Sequence, residues 1–187
     1  MPGKLIIDSI HEQGSGGGER DRIRNLQLHV EEVYQDSRKD VYAYLITLGL
    51  PAAQAQDTTQ EVFLRYYVTL QRDPSIENPR AWIFRVAHNL GLKVRSKQSR
   101  LHPIDEHMER RLTDDAVDPE RGAIDRQRHS RVEDAIEDLS AQQRQCLFLR
   151  AEGLRYREIA TAIGISTSSV SEFLKRAVKK LRQAAGE

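Results

Sequence analysis

Between Pro79 and Arg100 the chain carries Arg80, Arg85, Lys93, Arg95, Lys97 and Arg100 and no acid, with the aromatic pair Trp82 and Phe84 in the same stretch. Cations at that density attract a polyanion, and flat rings beside them can stack on unstacked bases while the cations follow the phosphates. Trp82 on its own reads as a core residue; the basic run reads as facing nucleic acid. A second concentration of charge lies from Arg155 to Gln183. Seven bases (Arg155, Arg157, Lys175, Arg176, Lys179, Lys180, Arg182) stand there against Glu158 and Glu172, in a chain of formal net charge +1. The competing reading is a solvated helix surface; the asymmetry favours a phosphate-bearing partner. Nothing comparable supports catalysis. His11, His29, His88, His102, His107 and His129 show no ligand spacing with acids, and no nucleophile motif is present. No catalytic residue, metal site or cofactor is expected.

These residues need helices to position them. In Leu154–Gln183, Ile159, Ala162 and Ile163 give a first helix its apolar stripe and Gly164 supplies a permissive turn. Ser166 or Thr167 caps a second helix, in which Val170, Leu174, Ala177, Val178 and Leu181 share one face. Two helices about a glycine turn, the second basic outside, have the form of a DNA-reading helix-turn-helix. Upstream, Ala123 opens a helix with Val132, Ala135, Ile136 and Leu139 on one face. Ser140 and Gln143 then form a capping box before a stripe of Leu147, Ala151 and Leu154, broken by Gly153.

The N-terminal half is also helical. Val41, Leu45 and Leu48, with Tyr44 beside them, belong to a helix from Leu28 to Leu50, which Gly49 and Pro51 end. A second helix runs from Ala52 to Leu70, with Val62, Phe63, Tyr66 and Leu70 inward and Asp57, Gln60, Glu61 and Arg65 outward. A polar loop, Gln71–Glu77, leads to Asn78-Pro79, an N-cap followed by a proline at the first helical position. Residues 1–25 are rich in glycine and charge and read as a flexible extension. Residues 102–122, acid-rich and bracketed by Pro103 and Pro119, read as a flexible linker. The expected architecture is all-α: a helical domain at 26–101, the acidic linker at 102–122 and a helix-turn-helix domain at 123–187. A single cysteine, Cys146, excludes an internal disulfide. No apolar run reaches membrane-spanning length, and Leu5-Ile6-Ile7 is too short for a signal-peptide core, so a cytoplasmic location without membrane insertion is expected.

Three segments in this order, DTTQEVFLRYY, NPRAWIFRVAHNL and LSAQQRQCLFLRAEGLRYREIATAIGISTSSV, resemble the extracytoplasmic-function (ECF) sigma factors of the sigma-70 family, over roughly Val30 to Leu181. The resemblance implies a promoter-specificity subunit that binds core RNA polymerase, through the β′ clamp helices and the β flap, and promoter DNA. It assigns polymerase docking to Asp57, Gln60, Glu61 and Arg65. It assigns the minus-10 element to Trp82, Arg85, Asn89, Lys93, Arg95 and Lys97, with Gln71–Glu77 as the loop that captures a flipped base. It assigns the minus-35 element to Thr167, Ser168, Ser169, Ser171, Glu172, Lys175, Arg176 and Lys179. An anti-sigma factor is an implied partner. Thr58 and Thr59 lie beside the docking acids, where phosphorylation would add negative charge. The sequence departs from the family pattern at Ser171-Glu172-Phe173, where basic residues are common, and at Arg155, where Ser or Thr usually caps the helix. A helix-turn-helix regulator of duplex DNA is the alternative; it explains the C-terminal half alone.

Overall fold

The structure, a computed structural model, describes residues 17–101 and 123–186. Helix α1 spans Gly17–Thr47, α2 Ala52–Arg72 and α3 Pro79–Leu101; after the linker, α4 spans Ala123–Glu137, α5 Ala141–Ala151, α6 Tyr156–Ile163 and α7 Thr167–Ala185. No strand occurs among the described residues, and the linker at 102–122 lies outside them.

Helix α1 starts earlier than expected, within the stretch read as a flexible extension. Glu19 lies in its first turn, where a negative charge suits the N-terminal end of a helix, and Leu26 and Val30 further along pack against the core, so the helix reaches back from that anchor. The helix ends as the sequence indicates. Gly49 takes φ 92°, and Leu50 N–H turns back to the Leu45 carbonyl at 3.2 Å. Pro51 then delivers the chain into α2. At the start of α3, Asn78 Oδ1 accepts from Ala81 N–H at 3.1 Å, the expected cap.

The N-terminal half is a three-helix unit. Val41, Tyr44 and Leu45 of α1 and Leu48 just after it meet Val62, Phe63 and Tyr66 of α2 and Ile83, Phe84 and Ala87 of α3, all buried. Gly91 permits this fit. A Cβ there would stand 2.8 Å from Leu48 Cδ1 and 3.0 Å from Leu45 Cδ2, so a side chain at this position would force those leucines to repack. Tyr34 meets Phe63 edge-on, with centroids 4.9 Å apart.

In the C-terminal half α7 is the common support, packed by α4, α5 and α6. Val170, Leu174 and Ala177 are its buried face; Val178 is exposed and Leu181 half-buried, so the inward stripe is narrower than the periodicity suggested. The face of α5 is rotated from the one expected. Cys146 and Leu149 are buried and Leu147 is half-buried, while Ala151 is exposed. Leu149 can fill the space between helices that alanine cannot, and it sets the rotation. Ser140 and Gln143 close their capping box at 2.9 and 3.3 Å. On α4, Ala135 is buried and Ile136 exposed.

The two halves are not held apart. Helix α6 lies on α3 and α5 touches α1, so one buried cluster runs continuously from Val41 to Leu174. Phe148 of α5 enters the N-terminal half, 5.4 Å from Tyr44 and 6.3 Å from Phe84, centroid to centroid.

Candidate nucleic-acid interface

Helices α2 and α3 enclose an open groove of about 680 Å³, lined by Glu61, Leu64, Arg65, Val68, Thr69, Trp82, Val86, Asn89, Leu90 and Lys93. Two sets of residues separated in the sequence reading therefore share one surface. Glu61 and Arg65 from α2 face Trp82, Asn89 and Lys93 from α3. Glu61 and Arg65 form an i,i+4 ion pair at 2.6 Å. Asp57 and Gln60, a turn earlier, are exposed on α2 outside this lining. Trp82 is half-buried rather than fully core. One part of the indole packs on Tyr66, with centroids 5.5 Å apart, and the ring also borders the groove. A ring anchored on one side and open on the other can stack on a base without losing its own support.

Leu64 and Val68 were not singled out in the sequence. Both are exposed, at 57% and 37%, and both line the groove. The signal was present: they fall outside the Val62–Tyr66–Leu70 face, so α2 is apolar on two sides, and the second side needs a partner.

Along α3 the basic residues divide. Arg85, Asn89, Lys93 and Lys97 are exposed. Arg95 is exposed too, with its guanidinium donating to the Leu48 carbonyl at 3.4 Å. Arg80 turns inward instead. It donates to Asp40 at 2.7 Å, to the Glu152 carbonyl at 2.9 Å and to the Glu152 carboxylate, and its guanidinium lies 5.5 Å from the Phe84 centroid. Burial opposes its charge, but the bonds to Asp40 and Glu152 outweigh that and hold the guanidinium protonated. Burial raises the Glu152 carboxyl pKa, and Arg80 opposes that rise without cancelling it.

The loop before α3 is shorter than Gln71–Glu77, because α2 continues to Arg72. Asp73 Oδ1 accepts from the Ser75 N–H at 3.0 Å and hydroxyl at 2.6 Å, which fixes the turn and holds the Asp73 carboxyl pKa below its ordinary value. Thr58 and Thr59 are not available for modification at this surface. Each is 6% exposed, and Thr59 donates to the Ala55 carbonyl at 2.8 Å. They occupy the inner face of α2, one position round from the acids.

The second basic surface is α7, entered through a left-handed turn at Gly164, φ 74°. Ser166 is its N-cap, accepting from Ser169 N–H at 3.0 Å. Thr167, Ser168, Glu172, Lys175, Arg176 and Lys179 are exposed, and Ser169 and Ser171 half-exposed. Arg176 pairs with Glu172 at 3.0 Å, so the unexpected acid is partly neutralised within the helix. Arg155 offers α6 no side-chain acceptor. Glu158 makes up for it, accepting from Arg155 N–H at 2.7 Å.

A basic helix beside a half-open indole, and a separate helix-turn-helix with an exposed basic second helix, are two exposed basic surfaces of different kinds. Comparison with known proteins divides the chain at the same place. The model for Sigma-70 region 2 matches residues 33–101, and that for Sigma-70, region 4 matches residues 129–181. The ECF RNA polymerase sigma factor SigL of Mycobacterium tuberculosis is 30% identical over 155 residues, covering 80% of this chain and 85% of that protein. The chain belongs to the ECF RNA polymerase sigma factors. SigM of Bacillus subtilis, another member, is 26% identical over 83% of this chain and 94% of its own. Among solved structures, this sigma factor shares its fold with RpoE of Bartonella quintana, solved with the anti-sigma factor NepR (TM-score 0.60, 19% identity, 82% of this chain and 94% of that one). It also shares it with CnrH, solved with the cytosolic domain of CnrY (TM-score 0.52, 21% identity, 84% and 87%). The regulator alternative falls with the region 2 match. As a sigma factor the protein directs promoter recognition, and its family is one of initiation factors rather than enzymes. No described helix is long and apolar enough to cross a membrane.

Proposed function

We propose that this sigma factor docks on core RNA polymerase through α2 and holds the melted minus-10 strand along α3, while α7 reads the minus-35 element in duplex form. The observation that carries the proposal is the shared groove of α2 and α3, where Glu61, Leu64, Arg65 and Val68 lie across from Trp82, Asn89 and Lys93. A docking surface with an apolar centre and charged edges suits a protein partner. Asp57, Gln60, Glu61 and Arg65 supply the polar rim for the β′ clamp helices, and Leu64 and Val68 the apolar centre. Binding there brings the adjacent strand site beside the polymerase.

On α3, Trp82 stacks on an unpaired base and the Asn89 carboxamide bonds a base edge. Arg85, Lys93, Arg95 and Lys97 follow the backbone phosphates. The turn fixed by Asp73 presents the base-capturing loop. On α7, Thr167, Ser168, Ser169, Ser171 and Glu172 at the helix N-terminus meet base edges, and Lys175, Arg176 and Lys179 meet phosphates. The C-terminal half also reaches the β flap. The protein acts in the cytoplasm, without catalysis, cofactor or metal of its own. An anti-sigma factor is a partner on this reading; its support is the shared fold with RpoE, which was solved with one.

Run-off transcription from a promoter fragment library tests the proposal. Core RNA polymerase should give discrete starts when this protein is added, and Trp82→Ala with Asn89→Ala should abolish them while leaving duplex binding by α7 intact. Starts that survive the double substitution, or none with the unaltered protein, would refute the assignment.

A further inference from the structure

Behind the indole of Trp82 stands a polar contact that promoter reading has not called upon. Tyr66 of α2 is wholly buried, and its ring lies 5.5 Å from that of Trp82, centroid to centroid. The same ring meets His29 of α1 at 6.2 Å, and its hydroxyl is hydrogen-bonded to His29 Nε2 at 3.0 Å. Three rings from three helices therefore stand in series, the last of them bordering the groove beside Asn89 and Lys93. His29 is steadied by its own helix, since Leu26 and Val30 on either side of it pack against the core. It lies ahead of residues 33–101, the stretch that matches Sigma-70 region 2, so this support enters from outside that stretch.

We propose that His29 is a positioning residue for strand capture: by bonding the Tyr66 hydroxyl it fixes the ring on which Trp82 rests, and so sets the pose in which the indole meets an unpaired base. This rests on the reading that Trp82 stacks on a base of the melted minus-10 strand.

The hydroxyl is what makes the contact specific. A buried tyrosine ring packs much as a phenylalanine would, but its hydroxyl must find a partner once it leaves water. Burial pushes the Tyr66 phenol pKa up to about 12, so the proton stays on the oxygen and is available to the bond. Among the described residues the partner is His29. Without it the hydroxyl is left unpaired in a dry site, or the ring turns to reach water and takes the support from under Trp82. Trp82 is free to follow. It is half-buried and borders an open cleft on two sides, so Tyr66 is the ring that steadies it. Stacking favours an indole already in place, because a mobile one must be ordered as the base arrives. His29 does not line the groove, so it acts on the strand through Tyr66 and Trp82.

Trp82 is the single tryptophan of the chain, so emission from the free full-length protein reads its surroundings directly. His29→Leu removes the bond, as does His29→Asn, whose side chain falls short of the hydroxyl. Both should lower the emission anisotropy with helical circular dichroism retained. Open-complex formation is then timed with core RNA polymerase on a promoter from the fragment library. Both variants should slow it about fivefold, the effect of one buried hydroxyl left unpaired, while the protein concentration that half-saturates core polymerase stays unchanged. His29→Gln, whose carboxamide can keep the bond, should match the unaltered protein. Tyr66→Phe added to His29→Leu removes the orphaned hydroxyl and should recover most of the rate. A Gln variant as slow as the Leu variant, or a double variant no faster than His29→Leu, would overturn action through the hydroxyl. Unchanged anisotropy and rate in both bond-removing variants would overturn the positioning role. So would a half-saturating concentration that rises as much as the rate falls, since His29 would then support the fold in general. Trp82→Ala is the reference. If it does not slow opening, the stacking reading falls and the positioning role with it; if it does while His29→Leu and His29→Asn do not, the positioning role alone falls.

Discussion

Helices α3 and α7 are both basic, but their cations are engaged differently. On α3, Arg80 is drawn into the contact between halves and Arg95 reaches the Leu48 carbonyl, so part of the charge supports tertiary structure. On α7, Arg176 is paired within its own helix, and Lys180 reaches Asp138 at the end of α4, at 2.8 Å to the carbonyl and 3.3 Å to the carboxylate. Lys175 and Lys179 stand exposed on its outer face. Their opposite faces are both buried. Ile83, Phe84 and Ala87 of α3 are wholly buried, and the inward face of α7 adds Val170 and Leu174 to the same core, with Val178 39% exposed at its edge. Substitutions on α3 should therefore mix stability with function, and those on the outer face of α7 should change binding alone.

The largest effect expected from this contrast is on stability. Phe84→Ala should cost about 3–5 kcal/mol, as burial of a full aromatic side chain is lost and a cavity remains. Val178→Ala should stay within about 0.5 kcal/mol, as an exposed position does. Urea midpoints measure both. Because Phe84 packs against Phe148, the N- and C-terminal halves of the unaltered protein should unfold in one transition; separate transitions there would mean that the shared core is not cooperative.

Next in size is the electrostatic difference. Lys175→Ala and Lys179→Ala should each lower the slope of log affinity against log salt by about 0.9 if each neutralises one phosphate. Arg80→Ala should leave the slope unchanged, since its charge faces Asp40 and Glu152. Duplex titrations at several salt concentrations decide this, and a slope change with Arg80→Ala would return that residue to the DNA surface.

A smaller effect concerns pH. His88, 5% exposed behind Tyr44, has its pKa pushed below the ordinary 6.5 by burial. The unfolded chain takes up a proton below about pH 6.5 that the folded one refuses. Stability is therefore fully present above about 6.5 and is lost as pH falls from there through the folded pKa. His88→Gln should flatten this part of the profile. An unchanged profile would place the titration elsewhere.

Much of this was legible in the sequence because it depends on local chemistry. Asn78, Ser140, Gly164 and Ser166 act where their residue types require, and the alternation of apolar positions placed Val62, Phe63, Tyr66 and Leu70 inward. On α7 the periodicity placed Val170, Leu174 and Ala177 inward correctly but also Val178, which is exposed. What escaped depends on contacts between distant residues. Arg80 looks like any other member of a basic run until Asp40 and Glu152, 40 and 72 residues away, are brought to it. Thr58 and Thr59 looked accessible because they adjoin acids in sequence, although they face inward on the helix. Leu64 and Val68 lie off the Val62–Tyr66–Leu70 stripe, and only the groove beside Trp82 and Asn89 gives them a role. The start of α1 escapes the composition because glycine-rich text gives no helical signal, while the anchors that support the helix, Leu26 and Val30, lie further along.

The smallest effect sharpens the comparison at one residue of α7. Glu172 and Arg176 are both about two-thirds exposed, at 66% and 65%, so their 3.0 Å ion pair is worth only about 0.3–0.5 kcal/mol. Glu172→Ala should shift the unfolding midpoint by no more than that. Its effect on DNA runs two ways. Removing the acid releases Arg176 toward phosphate and takes a negative charge from the reading face, so binding to arbitrary duplex should tighten severalfold. If Glu172 also accepts from a cytosine amino group in the promoter, binding to the cognate duplex should weaken at the same time, and the ratio of the two affinities should fall by more than either alone. Competition titrations with cognate and scrambled duplexes separate the cases. Equal tightening on both would make Glu172 a general brake on phosphate contact with no part in reading sequence, and α7 would then discriminate through its serines and threonine alone.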